Sequence, residues 1–144
     1  MRYFVLLILA ASIGCQTEPV PEAHSQTETG GFGRGAIAFT AEREQYAPGA
    51  EVKLSLRNTT DLTLGYNLCF SDLERQSGSG WEKVPDDTVC TTVQHGLETG
   101  ETADYTKTLA AGLPQGTYRF TTSVERRGEN RQERVSTGAF QVKP

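Results

Sequence analysis

The chain has 144 residues, with 14 Lys and Arg against 18 Asp and Glu. That acidic balance excludes a general nucleic-acid binder, which needs a basic face. The 110 or so residues beyond position 35 are one domain's worth.

In chain order, Arg2 supplies a short positive start, and residues 3–11 carry no charge and no strong polar group. A membrane span needs about 20 apolar residues. This run is roughly half that, and with small residues after it the pattern is that of a secretory signal. The stretch Ser12-Ile13-Gly14-Cys15 resembles the lipobox of bacterial lipoproteins, with Ser12 standing where Leu is usual. The resemblance implies a signal peptide over 1–14, cleavage before Cys15, a diacylglycerol on the Cys15 thiol and acylation of the new amino terminus. In that family an Asp after the cysteine favours the inner membrane of two-membrane cells. Gln16 therefore implies the outer membrane there, and the outer face of the cell membrane otherwise. Two or more acyl chains hold stably where one does not. Loss of Arg2 with the signal leaves 13 basic against 18 acidic side chains, a formal charge of −5.

Residues 16–35 read QTEPVPEAHSQTETGGFGRG. Segments this polar cannot bury enough surface to offset their ordering entropy. With Cys15 they form an expected flexible tether, 15–35, with a reach of about 25 Å. The glycines do not make a phosphate loop, since no strand precedes them and no GK[ST] follows.

From residue 36 to 144 alternation dominates and no helical period emerges. Strands are expected over 35–42, 51–58, 62–70, 117–125 and roughly 131–142. Turns are expected at Tyr46-Ala47-Pro48-Gly49 and Asn58-Thr59-Thr60-Asp61. Within 62–70, Leu62, Leu64, Tyr66, Leu68 and Phe70 share one face, which leaves Cys69 pointing away from the core. Val135 is out of phase with Phe140 and Val142, which calls for a bulge near Gly138. Strands at this spacing with Gly, Pro and Asn turns suggest a β-sandwich. Pro114 to Tyr118 looks like a tyrosine corner, in which the Tyr118 hydroxyl bonds the backbone a few residues upstream.

Of the three cysteines, Cys15 leaves an even remainder if it carries lipid. Cys69 and Cys90 can then pair in a compartment that permits disulfides; the alternative is two reduced, buried thiols. No C-x-x-C pair supports a metal site, and His24 and His95 stand alone. No base is spaced to activate a thiol.

Several stretches together resemble a bacterial Ig-like domain. They are Tyr46-Ala47-Pro48-Gly49, residues 52–58, Asn67-Leu68-Cys69, Leu73-Glu74-Arg75, Trp81, Cys90, Leu97-Glu98-Thr99-Gly100 and Gly116-Thr117-Tyr118-Arg119-Phe120. The resemblance covers roughly 34–144 and implies a sandwich of about seven strands. It brings no activity with it.

Four residues are candidates for partner recognition. Trp81 sits after Ser77-Gly78-Ser79-Gly80, where it either anchors a partner or seals a small core. Arg126, Arg127 and Arg131 lie in the charged hairpin 125–134, which reads either as a solvated tip or as a recognition loop with forks suited to carboxylates. Asp86-Asp87 alone is too few oxygens for calcium. Asn58-Thr59-Thr60 formally matches a glycosylation acceptor. No catalytic motif is present, and neither a metal nor another cofactor is expected. The expectation is a lipid-anchored envelope protein carrying a non-catalytic binding or structural module. Its partners would be the membrane and an envelope component, without nucleic acid. The first alternative is an Ig-like protease inhibitor, whose rigid loop would lie in 90–98, and the second is an enzyme, which would need a pocket with converging polar groups.

Overall fold

The computed structural model describes residues 35–127 and 131–144. The expected signal peptide, Cys15 and the tether up to 34 lie outside them, as does the 128–130 tip. Eleven strands appear among the described residues. They are β1 (Ile37–Ala41), β2 (Gln45–Tyr46), β3 (Glu51–Asn58), β4 (Leu64–Tyr66), β5 (Asp72–Ser77), β6 (Gly80–Lys83), β7 (His95–Leu97), β8 (Thr102–Thr108), β9 (Gly116–Arg126), β10 (Gln132–Ser136) and β11 (Phe140–Val142). They form an Ig-like sandwich. One sheet is β1-β3-β8, and the other runs β2-β11-β9-β4-β7, with β10 and the β5–β6 hairpin also paired along it. Among the described residues no helix is long and apolar enough to cross a membrane.

The core follows the alternation. Val52, Leu54 and Leu56 of β3 point in, and Tyr118, Phe120 and Val124 of β9 answer them from the facing sheet. Phe140 joins the aromatic set, edge-on to Tyr46 at 5.2 Å and stacked near Phe120 at 5.8 Å. The Tyr118 hydroxyl donates to the Pro114 carbonyl at 2.6 Å, the tyrosine corner expected from the sequence. The bulge is also where the pattern puts it. Ser136 lies opposite Thr121 but Phe140 opposite Tyr118, so four steps on one strand meet three on the other. That extra residue lets Val135, Phe140 and Val142 all face inward.

One expected strand is corrected. Residues 62–70 do not run straight: β4 is three residues long, and a 3-10 turn spans Leu68–Phe70. The cause is Asn67, whose side-chain oxygen accepts the Cys69 N–H and caps the turn. Leu68 stays buried, while Phe70, expected inside, is 53% exposed. The turn lets β5 rejoin β9 further along, with Leu73 opposite Phe120. Such breaks are how about seven expected strands become eleven.

Asn58 opens the expected turn, its side-chain oxygen accepting the Thr60 N–H as in an Asx-turn, but it does more than that. It ends β3 fully buried and satisfies four hydrogen bonds. Its amide donates to the carbonyls of Leu62 at 2.7 Å and Leu97 at 2.9 Å. Its oxygen accepts the Thr60 N–H and hydroxyl at 2.9 and 2.7 Å. A nitrogen held this way is no glycosylation acceptor in the folded protein.

Two outer strands carry inward-turned charges, a device that discourages edge-to-edge pairing. Lys107 of β8 faces in opposite Val52 and is only 7% exposed. Glu133 of β10 lies opposite Val124, with one carboxylate oxygen buried and unpartnered, and burial pushes its carboxyl up despite nearby Arg131.

Candidate interaction surface

Between β6 and β7 the chain runs through residues 84–94 without strand, turn or bend. Past Val84, whose N–H donates to the Leu73 carbonyl, no backbone–backbone hydrogen bond among the described residues ties this strap to the domain. Its restraints are of other kinds. Lys107 donates to Asp86 at 2.6 Å from the edge strand β8. The Cys69–Cys90 disulfide joins the strap to the 3-10 turn, with Cα atoms 5.8 Å apart. The Asn67 amide donates to the carbonyls of Thr91 and Val93, both at 2.8 Å. Finally, Gln94 donates to Glu125 at 2.7 Å.

Glycine makes room for the last contact. A Cβ at Gly65 would meet the Gln94 amide at 2.6 Å, so the side chain lies flat across β4. Gly96, paired with Gly65, does the same for the Arg127 guanidinium. A shallow groove of about 350 Å³ runs beside the strap, lined by Asn67, Phe70, Thr92, Gln94, Glu125 and Gln132.

Asp86 is engaged by Lys107 rather than paired with Asp87 around an ion. Among the described residues no cluster of three or more metal-ligating side chains occurs. Burial alone would raise the Asp86 carboxyl. Hydrogen bonds from Lys107 and from the Thr88 hydroxyl and N–H outweigh it and hold the group at about 2, against an ordinary 3.8. A depressed carboxylate stabilises the fold above its unfolded value and loses that contribution as pH falls through its folded one. Asp86→Asn is therefore expected to cost about 2 kcal/mol at pH 7, because it strands the buried ammonium. A third of the Asp86 side chain is exposed, which holds the figure below that of a fully buried pair. The cost should shrink between pH 4 and 2 as the native aspartate protonates, and Lys107→Met should recover most of it. Urea unfolding of the three variants across that range checks this; a deficit independent of pH would refute the electrostatic assignment.

Of the other candidate residues, the three arginines lie together at the end of β9, where the Arg126 N–H donates to the Arg131 carbonyl at 3.3 Å, and Trp81 lies apart from them. Trp81 is on β6 rather than on a loop. Its ring receives the Arg119 guanidinium at 4.3 Å, and Arg119 in turn bonds Glu74 at 2.8 Å. Arg134 bonds the other Glu74 oxygen at 2.9 Å, and Lys83 pairs with Asp72 at 2.7 Å. Trp81 thus caps an ion-pair ladder on the outer face of β6, β5, β9 and β10. Arg126 and Arg131 stand at the far end of β9, seven residues from Arg119, or ~23 Å along a strand. Arg127 lies over Gly96. No one surface presents all four. The strap overlaps the candidate loop 90–98, and its run Thr88-Val89-Cys90-Thr91-Thr92-Val93 holds five β-branched residues in six.

The arrangement defines an all-β, two-sheet sandwich whose distinctive feature is a stapled, exposed strap. The chain belongs to the bacterial Ig-like domain family, whose model matches residues 34–139. No curated protein matches the chain. Among solved structures it is similar to the CsuC–CsuE chaperone–tip adhesion subunit pre-assembly complex of the archaic chaperone-usher Csu pili of Acinetobacter baumannii. That match has 14% identity and a TM-score of 0.46, and covers 73% of this chain and 51% of the other. The chain thus spans about half the length of that structure. It is also similar to the ASH/PapD-like domain 7 of human CEP192, at 13% identity and a TM-score of 0.37, with 94% and 98% covered.

Proposed function

We propose that this is a lipid-anchored protein of the bacterial cell envelope whose Ig-like domain acts as a non-catalytic binding module, with the strap as its contact surface. One observation carries the binding part. The large exposed hydrophobics among the described residues are Phe70, Val89 and Val93, at 53%, 96% and 57%, and all three flank the Cys69–Cys90 staple. Exposed apolar groups gathered on a rigid support mark contact sites more often than scattered ones do. The neighbouring polar groups bond one another, Gln94 to Glu125 and Asn67 to the strap, rather than converging on a reactive centre. Anchoring rests on Ser12-Ile13-Gly14-Cys15, with Gln16 pointing to the outer membrane of a two-membrane cell.

The address has a direct test. Cys15→Ser should abolish acyl labelling and move the protein from the membrane to the soluble fraction; a mutant still membrane-bound would refute the anchor. A second reading, protease inhibition, draws on the same strap, which is extended, exposed and pinned at Asp86, Cys90 and Gln94. It requires that the full chain block at least one member of a protease panel at micromolar concentration, and a panel left untouched removes it.

A further inference from the structure

Residues 88–93 have the composition of a strand and the exposure of an edge, yet no strand pairs with them. Their side chains sort into two rows. Cys90 and Gln94 reach the outer face of the larger sheet, where Cys69 and Glu125 hold them, and Thr92 lines the groove there. The other row is Val89, Thr91 and Val93, exposed and unguarded by any charge. The backbone sorts the same way. In an extended chain the peptide groups of alternate residues point to opposite edges. Asn67 takes the carbonyls of Thr91 and Val93. Those of Cys90 and Thr92 therefore point to the free edge, beside N–H groups that have no backbone partner among the described residues. The strap runs directly into β7, the last strand on its side of the larger sheet, so this free edge continues that of the sheet.

We infer that this edge pairs with the same edge of a second copy of the chain, antiparallel and two-fold about Thr91. The inference rests on the reading of the strap as a contact surface and names its occupant. The register follows from the pattern. Centred on Thr91, Cys90 lies opposite Thr92 of the other copy twice, and each of these two pairs exchanges two hydrogen bonds. Thr91 meets Thr91, and Val89 meets Val93 twice, in the non-hydrogen-bonded positions where side chains come closest. Asp87 falls opposite His95, an acid against a base. Centred instead on Cys90, the pairing keeps the hydrogen bonds but sets Asp87 against Val93. The self-complementary sequence thus selects one register, and an isologous contact closes at two copies. A six-residue ribbon buries less than the ~1,200 Å² of a stable dimer. Copies held on one membrane by their anchors meet at high effective concentration, which compensates for a small contact.

Cysteine cross-linking in intact cells tests this on the full chain. Thr91→Cys places two thiols in directly facing positions whose Cα spacing suits a disulfide. Mild oxidation should give a homodimer on a non-reducing gel, in about tenfold greater yield than Thr92→Cys or Thr106→Cys. Val93→Lys added to Thr91→Cys should cut that yield about tenfold, a penalty of ~1.4 kcal/mol. Equal yields at the three positions, or a Thr91 yield indifferent to Val93→Lys, would overturn the pairing. A Thr91→Cys adduct with a different envelope protein in place of the homodimer would overturn the second copy as occupant, while leaving the strap a binding surface. Homodimer from a chain that Cys15→Ser does not release would support the pairing even as the anchor reading failed.

Discussion

Asn58→Leu is expected to destabilise the full chain by about 4 kcal/mol, the largest effect of any single substitution considered. Leucine is close to asparagine in size, so the loss comes from polarity and not from a cavity. The carbonyls of Leu62 and Leu97 lose their donor, and the Thr60 N–H and hydroxyl lose their acceptor. Each buried group left unsatisfied costs about 1–3 kcal/mol, partly recovered by relaxation and by apolar burial. The effect should be global. Asn58 closes the end of β3, and its backbone bonds Glu101 and Gly100 before β8, so the network fixes the approach of β4 and β7 as well. Asn58→Asp makes the sharper comparison. It keeps the acceptor that serves Thr60 but faces two carbonyls with a carboxylate, so it should be at least as damaging at pH 7 and recover in acid. Chemical denaturation at pH 7 and pH 4 distinguishes the two variants. A loss below about 1 kcal/mol for Asn58→Leu would mean that the network adds little.

Most of the sandwich was legible because burial writes itself as alternation. The β3 strand reads correctly, since Val52, Leu54 and Leu56 are apolar and their neighbours are not. Tyr118 announces its corner, and the phase slip between Val135 and Phe140 announces the bulge. Where polar atoms do the organising, the pattern is silent. The turn at Asn58 is legible, but nothing in a one-dimensional pattern marks an amide that is buried with partners 4 and 39 residues away. Asn67 ended a strand that hydrophobic phase alone continued through Phe70. The β5–β6 hairpin and β8 went unseen for a related reason. Their rows hold Glu74 and Lys107, charges whose burial depends on partners far along the chain. Tryptophan and arginine draw attention by type, yet Trp81 is occupied by Arg119 and Arg127 lies over Gly96. The strap, of which the sequence marks only 90–98 as a possible rigid loop, is where the exposed Val89 and Val93 lie.

The disulfide carries the second large effect, and its two contributions can be separated. Removing it with Cys69→Ser and Cys90→Ser together is expected to lower unfolding free energy by about 3 kcal/mol, as for a closed loop of 21 residues. That part acts on the unfolded chain and appears in the denaturation midpoint whatever the strap does. A second part belongs to the folded state. Between Asp86 and Gln94, the strap would keep only the two Asn67 bonds, so residues 87–93 should open far more readily than the sandwich unfolds. Limited proteolysis under native conditions reads this directly. Cleavage in the strap should speed up by more than the loss of global stability accounts for, while β3 and β9 stay protected. The homodimer yield of Thr91→Cys should fall in the same background, because a loose strap must pay its ordering entropy on pairing. If cleavage tracks global unfolding alone, Asn67, Asp86 and Gln94 suffice to hold the strap, and the staple serves stability only.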